Sequence, residues 1–279
     1  MVGSRWSLRI RPGLRRRPHP WFPSPLNIRM KHSLSAFRAF ITKLIERRVK
    51  EAHNGTVAKK DLLSILLFCA KGEDDNPMTV GQVIDEVLGM IVGGHETSAS
   101  ALTWFWYEVG KRPEVYSKLR QEVEDVLKGD CLTLEAISEL KYLRMVLDEV
   151  LRLYPPFWFE NRGVMEDTEL AGIKITKGSI IAMSRFSLHS HPGYWKRPLE
   201  FIPERHDPDS PENLASSFAC VPFSGGPRTC IGLHFARLEM MVIIASILAR
   251  FKLKTFSASN GQASANLTLT LKGGLKGKI

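Results

Sequence analysis

The sequence has no run of about 18 uncharged apolar residues, so its composition offers no clean transmembrane helix. Cysteine is scarce: Cys69, Cys131, Cys220 and Cys230 are the only four, and no two are spaced Cys-x-x-Cys. No apolar secretory segment opens the chain. These absences argue against a disulfide framework, a zinc finger and thioredoxin-type chemistry, and free thiols in a reducing compartment are expected. Other catalytic patterns are missing too. His95-Glu96 lacks the second histidine of a zincin, because position 99 is Ala. The tail Gly273-Gly274-Leu275-Lys276-Gly277-Lys278 lacks Walker A spacing, no Gly-x-Ser-x-Gly elbow occurs, and there are no internal repeats.

What is present fits a globular chain. Hydrophobic residues make up 44% of the 279 positions and charged residues 24%, enough apolar material for a sizeable core. The formal net charge of +10 is unevenly placed. Residues 1–50 hold 13 Lys or Arg and the single acid Glu46, while the remaining 229 carry 26 basic and 28 acidic side chains. The excess is therefore N-terminal, and no nucleic-acid partner is expected. Residues 1–26 read as a leader rich in Pro and Arg, to which no function is assigned.

From Asn27 the pattern turns helical, with a basic segment from Ser35 to Lys50, then an acidic linker from Lys71 to Pro77. Thr79 and Gln82 form a capping box, and no proline follows until Pro113. This predicts a helix of about 32 residues, some 48 Å long. Between Glu86 and Glu108 its one charged residue is Glu96, which predicts a helix buried on all sides. Its middle, Gly93 to Ser98, is polar, and reads as a kink, a satisfied core network or a notch facing a cavity.

A second helix, about Leu140 to Tyr154, ends at Pro155-Pro156 and buries Leu143, Val146, Leu147, Val150 and Leu151. Periodicity alone places Glu149 and Arg152 on the opposite face as a surface ion pair. Short β-like runs with Gly172 and Gly178 as turns span Asn161 to Ser184, and a loop-rich stretch follows from His189 to Pro227. His95 is read as packing or facing water, and His189 and His191 as loop residues. A last helix runs from about Cys230 to Phe251 with a stripe of Ile231, Phe235, Leu238, Val242 and Ala245, and strands and turns from Leu267 close the chain.

Cys230 stands out chemically. It sits at a helix start, where unpaired N–H groups favour an anion, behind the turn Gly225-Gly226-Pro227 and two residues from Arg228. That setting favours a thiolate, the ligand form of cysteine. Taken alone it reads instead as a small core residue capping a helix.

Phe223-Ser-Gly-Gly-Pro-Arg-Thr-Cys-Ile-Gly232 matches, at every fixed position, the Phe-x-x-Gly-x-Arg-x-Cys-x-Gly signature of the cytochrome P450 family, which the chain resembles. Glu149-Val-Leu-Arg152 matches its Glu-x-x-Arg, and Phe201-Ile-Pro-Glu-Arg205 the segment that adds a second arginine. Gly93-Gly94-His95-Glu96-Thr97 is similar to its oxygen-activation motif, with Gly93 where alanine is common.

The resemblance implies a mainly α fold with a small β component, the P450 fold incomplete at its N-terminus, over residues 27–279. It implies haem b held by Cys230 as axial thiolate, with Phe223 and Gly226 in the binding loop, Arg228 on a propionate and Arg162 as a further propionate contact. Glu149, Arg152 and Arg205 become a buried network, against the periodicity reading. Glu96 and Thr97 become an acid–alcohol proton relay. Phe157, Trp158 and Phe159 contact an apolar substrate, although three consecutive rings cannot all face one cavity.

The implied function is a haem-thiolate monooxygenase using O2, with NAD(P)H electrons delivered by a flavoprotein reductase or a ferredoxin at the basic face near Cys230. A full-length eukaryotic relative would sit in the endoplasmic-reticulum membrane. The family's N-terminal half, with its anchor, is expected to be absent. The alternative is therefore a truncated chain that binds haem poorly or not at all.

Overall fold

The computed structural model describes residues 23–54, 61–70, 72, 76–213, 218–253 and 261–278, with 255–258 as backbone. Most of the leader and most of the Lys71–Pro77 linker lie outside the described residues. Ser24 accepts from the Asn27 amide and caps α1 (Pro25–His53), whose first turn takes proline without losing a bond. Asp61 caps α2 (Leu62–Phe68) by accepting from the Ser64 amide.

Helix α3 (Val80–Gly110) is unbroken, and its capping box is present: the Thr79 amide donates to Gln82 Oε1 at 2.8 Å and the Gln82 amide to Thr79 Oγ1 at 3.3 Å. The described residues form two compact units, one up to His95 and one from Glu96 onward. The first has a core of Ile41, Ile45, Leu66, Val83 and Ile84.

The second unit begins with the rest of α3. It continues through α4 (Pro113–Leu127), α5 (Leu134–Glu139) and α6 (Lys141–Leu153). Two antiparallel pairs follow, β1 (Phe159–Gly163) with β4 (Ile180–Ser184) around β2 (Thr168–Leu170) with β3 (Ile173–Ile175). Gly172 (φ +81°) and Gly178 (φ +84°) make the turns that the sequence requires of them. Short α7 (Arg185–His189) leads into the loop-rich stretch, which ends at α8 (Leu233–Arg250).

Strand β5 (Thr255–Ala258) pairs with β8 (Leu275–Lys278), and β6 (Ala263–Ala265) with β7 (Leu269–Leu271). The core is helical: Trp104, Phe105, Leu119, Leu143, Val146, Val150, Met240 and Ile244 interlock, with Leu269 and Leu271 covering one side. The expected class, mainly α with small β pairs, is what the chain adopts. Among the described residues no helix is long and apolar enough to cross a membrane.

Three expectations need correction. Helix α3 is not buried all round: residues 91–95 are exposed, and in the second unit burial starts at Ser98. Hydropathy reports what a face could bury, whereas burial requires something packed on it, here Tyr154 just beyond α6, stacked on Trp104, and the β6–β7 hairpin.

In α8 the run Met-Met-Val-Ile-Ile-Ala-Ser-Ile-Leu is apolar on every side, so periodicity does not fix its phase. Its buried side is Met240, Met241, Ile244, Ala245 and Leu248, while Ile231 and Phe235 are exposed. His189 is no loop residue either. It ends α7 and is fully buried, held by bonds on both ring nitrogens.

Candidate functional site

The side of α6 opposite its apolar stripe is buried as deeply as the stripe. Arg152 donates from Nε and Nη2 to the two oxygens of Glu149, both at 2.8 Å, and both side chains are 0% exposed. Its remaining hydrogens go to the carbonyls of His189 (2.7 Å), Pro198 (2.8 Å) and Glu200 (3.2 Å). The second arginine arrives from the 3-10 turn Pro203–His206: Arg205 Nε reaches Glu149 Oε1 at 3.3 Å and its Nη1 reaches Glu212 Oε2 at 2.9 Å.

His206 adds Nε2 to Glu149 Oε2 at 2.9 Å, and the Ile202 amide donates to Oε1 at 2.9 Å. Trp195 lies beneath both arginines, its ring centroid 4.8 Å and 5.7 Å from their guanidinium carbons. Burial works against ionising Glu149, yet the donors from Arg152 and His206 outweigh it and hold its pKa below the usual carboxylate value. The structure thus joins Glu149, Arg152 and Arg205, and it adds His206, Glu212 and Trp195. Periodicity placed the pair at the surface because it does not see the returning loop that covers it.

Cys230 lies between the 3-10 turn Gly226–Arg228 and α8, which starts at Leu233, three residues later than the expected start at about Cys230. Its amide donates to the Phe223 carbonyl at 2.8 Å, and its carbonyl accepts from the Leu233 amide at 3.3 Å. The loop is closed by positive φ at Ser224 (+66°) and Gly226 (+67°). A methyl group at Gly225 would stand 2.7 Å from the exposed Phe218 ring, which would have to move aside for it.

Cys230 is exposed. Arg228 is exposed and without an ion pair among the described residues. Cys220 contrasts with Cys230: burial, then the charge of Asp148, pushes its thiol up to about 12. Arg162, on β1, is instead engaged by Glu160 at 3.2 Å, while Glu160 also binds Arg185.

In the second unit one face of α3 grips the turn between β6 and β7. Glu96 Oε1 accepts from Thr268 Oγ1 at 2.6 Å, Ser100 Oγ donates to the Leu269 carbonyl at 2.7 Å, and Trp104 Nε1 donates to that same carbonyl at 2.8 Å. Glu96, Ser100 and Trp104 are four residues apart, which on an α-helix is one face. The aromatic segment after α6 reaches this turn as well: Trp158 Nε1 donates to the Asn266 carbonyl at 3.2 Å and the Leu269 amide to the Pro156 carbonyl at 2.8 Å.

Trp158 is the ring that packs on the core, while Phe157 and Phe159 stay exposed. Thr97 is half-buried, one residue on from Glu96 along the helix. Thr268 was not legible as a site residue, since nothing local marks a threonine in a hairpin.

The sequence profile of the family described as Cytochrome P450 matches residues 8–275. The chain belongs to the cytochrome P450 family. Among its relatives, mouse Cytochrome P450 4V2 is 35% identical over 235 residues, covering 79% of this chain and 45% of the relative. Cyclooctat-9-en-7-ol 5-monooxygenase of Streptomyces melanosporofaciens is 35% identical over 233 residues, 83% of this chain and 50% of the relative.

The solved structure of retinoic acid bound cyanobacterial CYP120A1 superposes with a TM-score of 0.84 at 29% identity, covering 94% of this chain and 60% of that one. This P450 chain thus spans about half the length of the curated relatives it matches. The family's cofactor is haem b. The residues here fit that group: an exposed thiol, a loop shaped by positive φ, a free guanidinium at Arg228, and bare apolar side chains at Ile231 (97% exposed) and Phe235 (71%) beside the cysteine.

Proposed function

We propose that this chain carries the haem-binding and oxygen-activating part of a haem-thiolate monooxygenase, with residues 27–279 as the C-terminal part of its catalytic domain. The observation that carries this reading is Cys230, exposed in a loop pinned by its own amide to Phe223 and placed ahead of α8. When bound, haem supplies an iron that activates O2 for transfer of one oxygen atom to an organic substrate.

The chain's residues have separable tasks. Cys230 would hold the iron through its sulfur, and the surrounding loop would tune that ligand. Arg228 would hold a propionate through a charge-assisted bond suited to a guanidinium, and Arg162, now paired with Glu160, would be the further propionate contact. Phe223 and Gly226 shape the loop. Glu149, Arg152 and Arg205 keep the ground beneath it in one register.

Glu96 and Thr97 hold and pass protons, the carboxyl from solvent and the hydroxyl toward the reacting oxygen. Phe157 and Phe159 offer apolar surface to a substrate, and Trp158 anchors their segment. That one relative was solved with retinoic acid, and another is named for a cyclooctatenol, supports an apolar substrate. Electrons from NAD(P)H come through a flavoprotein reductase or a ferredoxin.

The test is the difference spectrum of the reduced, haem-reconstituted chain with and without carbon monoxide. A thiolate-type ferrous–CO Soret band, absent in Cys230→Ala, is expected. The same band in the variant would remove Cys230 from the role.

A further inference from the structure

Buried His189 is engaged at both ring nitrogens, and its partners belong to different parts of the second unit. A carbonyl only accepts, so the Nδ1···Arg152 O contact of 3.1 Å is a donation from Nδ1–H. An amide only donates, so the Val221 N···Nε2 contact of 2.9 Å requires an Nε2 lone pair. Together these bonds fix one neutral tautomer. Burial, the largest influence on the ring, keeps it neutral by pulling its pKa down to about 4. Arg152 returns the contact by donating to the His189 carbonyl at 2.7 Å, so α6 and the end of α7 are bound in both directions.

From Val221 the connection continues to the cysteine. The Ser224 amide donates to the Val221 carbonyl at 3.0 Å, and the Cys230 amide donates to the Phe223 carbonyl at 2.8 Å. The next residue after Val221 is Pro222, which has no amide hydrogen to contribute. His189 Nε2 is therefore the group that fixes the entry of this loop, and the two bonds beyond it fix its exit.

We propose that His189 is a positioning residue for Cys230: its neutral imidazole couples the Glu149–Arg152 network to the Val221–Phe223 turn on which the Cys230 amide rests. The ring does not touch the sulfur. It sets where the loop begins, and so where the thiolate is presented. The functional meaning rests on Cys230 being the haem ligand, but the coupling itself does not.

Amide hydrogen exchange on the full 279-residue chain tests the coupling without haem. Gln can place a carbonyl oxygen near the Nε2 position, whereas the shorter Asn cannot reach it. His189→Asn is expected to speed exchange at Val221 and Cys230 by about three- to tenfold, the equivalent of one net hydrogen bond. His189→Gln is expected to keep both near the wild-type rate. Equal rates in wild type and His189→Asn would overturn the proposal, and so would equal losses in both variants.

If His189→Asn does not fold, the wild-type chain still decides. Its imidazole nitrogen spectrum at neutral pH must show Nδ1 protonated and Nε2 bare, and the opposite tautomer overturns the proposal. After haem loading, the share of thiolate-type CO band should fall in His189→Asn relative to His189→Gln. Should Cys230→Ala keep that band while the exchange result stands, the ligand assignment fails and the coupling survives.

Discussion

Replacing Arg152 by lysine keeps a cation in the α6 network but removes the planar fork. Arg152 makes five side-chain hydrogen bonds, two to Glu149 and three to carbonyls of His189, Pro198 and Glu200, with no exposed surface. A lysine ammonium has three hydrogens on one centre, so at least two acceptors lose their donor. Each buried acceptor left unpaired costs roughly 1–3 kcal/mol, giving about 2–5 kcal/mol for two once partial relaxation is allowed.

Arg152→Leu is harsher. It also strips Glu149 of its closest counter-charge, worth about 3–5 kcal/mol for a broken buried pair, and the sum approaches the whole stability of a domain at roughly 5–15 kcal/mol. The assay is urea unfolding followed by tryptophan fluorescence and circular dichroism. With a urea slope of about 2 kcal/mol per molar, Arg152→Lys is expected to lower the midpoint by about 1–2.5 M. Arg152→Leu should not yield a cooperative transition. A midpoint within about 0.3 M of wild type for Arg152→Lys would refute the reasoning, because it would mean the fork geometry contributes nothing.

Acidification gives a second test, since His189 is held at about 4 in the folded chain against 6.5 for the free side chain. Below pH 6.5 the unfolded chain takes up a proton that the folded chain refuses, so stability falls with pH down to about 4. The change between pH 7 and pH 5 is about 2 kcal/mol, or about 1 M in urea midpoint at a slope of about 2 kcal/mol per molar, and His189→Gln should remove that shift. Arg152, Arg185 and His206, which face the ring, oppose its protonation.

Gly226→Ala forces an L side chain to φ +67° and is expected to cost about 1 kcal/mol and to reduce the thiolate-type CO band, read in the same reconstitution series. In a catalytically active full-length protein, Thr97→Ala should leave haem binding intact while diverting reducing equivalents from product to peroxide or water. Unchanged coupling would remove Thr97 from the relay. Thr268→Val should have a smaller effect of the same kind, with Thr268→Ser restoring coupling, because only the hydroxyl reaches Glu96.

Local chemistry was enough for the elements that carry their own punctuation. Thr79 and Gln82 start α3, Pro155-Pro156 stops α6, and Gly172 and Gly178 turn the β pairs, because caps, missing amides and positive φ act within a few residues. The four motifs likewise sit in the sequence, the one at Gly93 with a glycine where alanine is common, and with them Cys230, Glu149, Arg152, Arg205, Glu96 and Thr97.

Tertiary structure decided what lies over each face. Glu149 and Arg152 are spaced like a surface pair and are buried because the chain returns from Trp195 to Glu212 to cover them. The stripe that periodicity assigned to α8 from Ile231 to Ala245 holds only at Ala245, because the side buried was decided by α4 and α6 packing against it. His189 and Thr268 carry no local mark at all. Their roles come from partners 37 and 172 residues away in the chain, and sequence periodicity cannot report a contact at that separation.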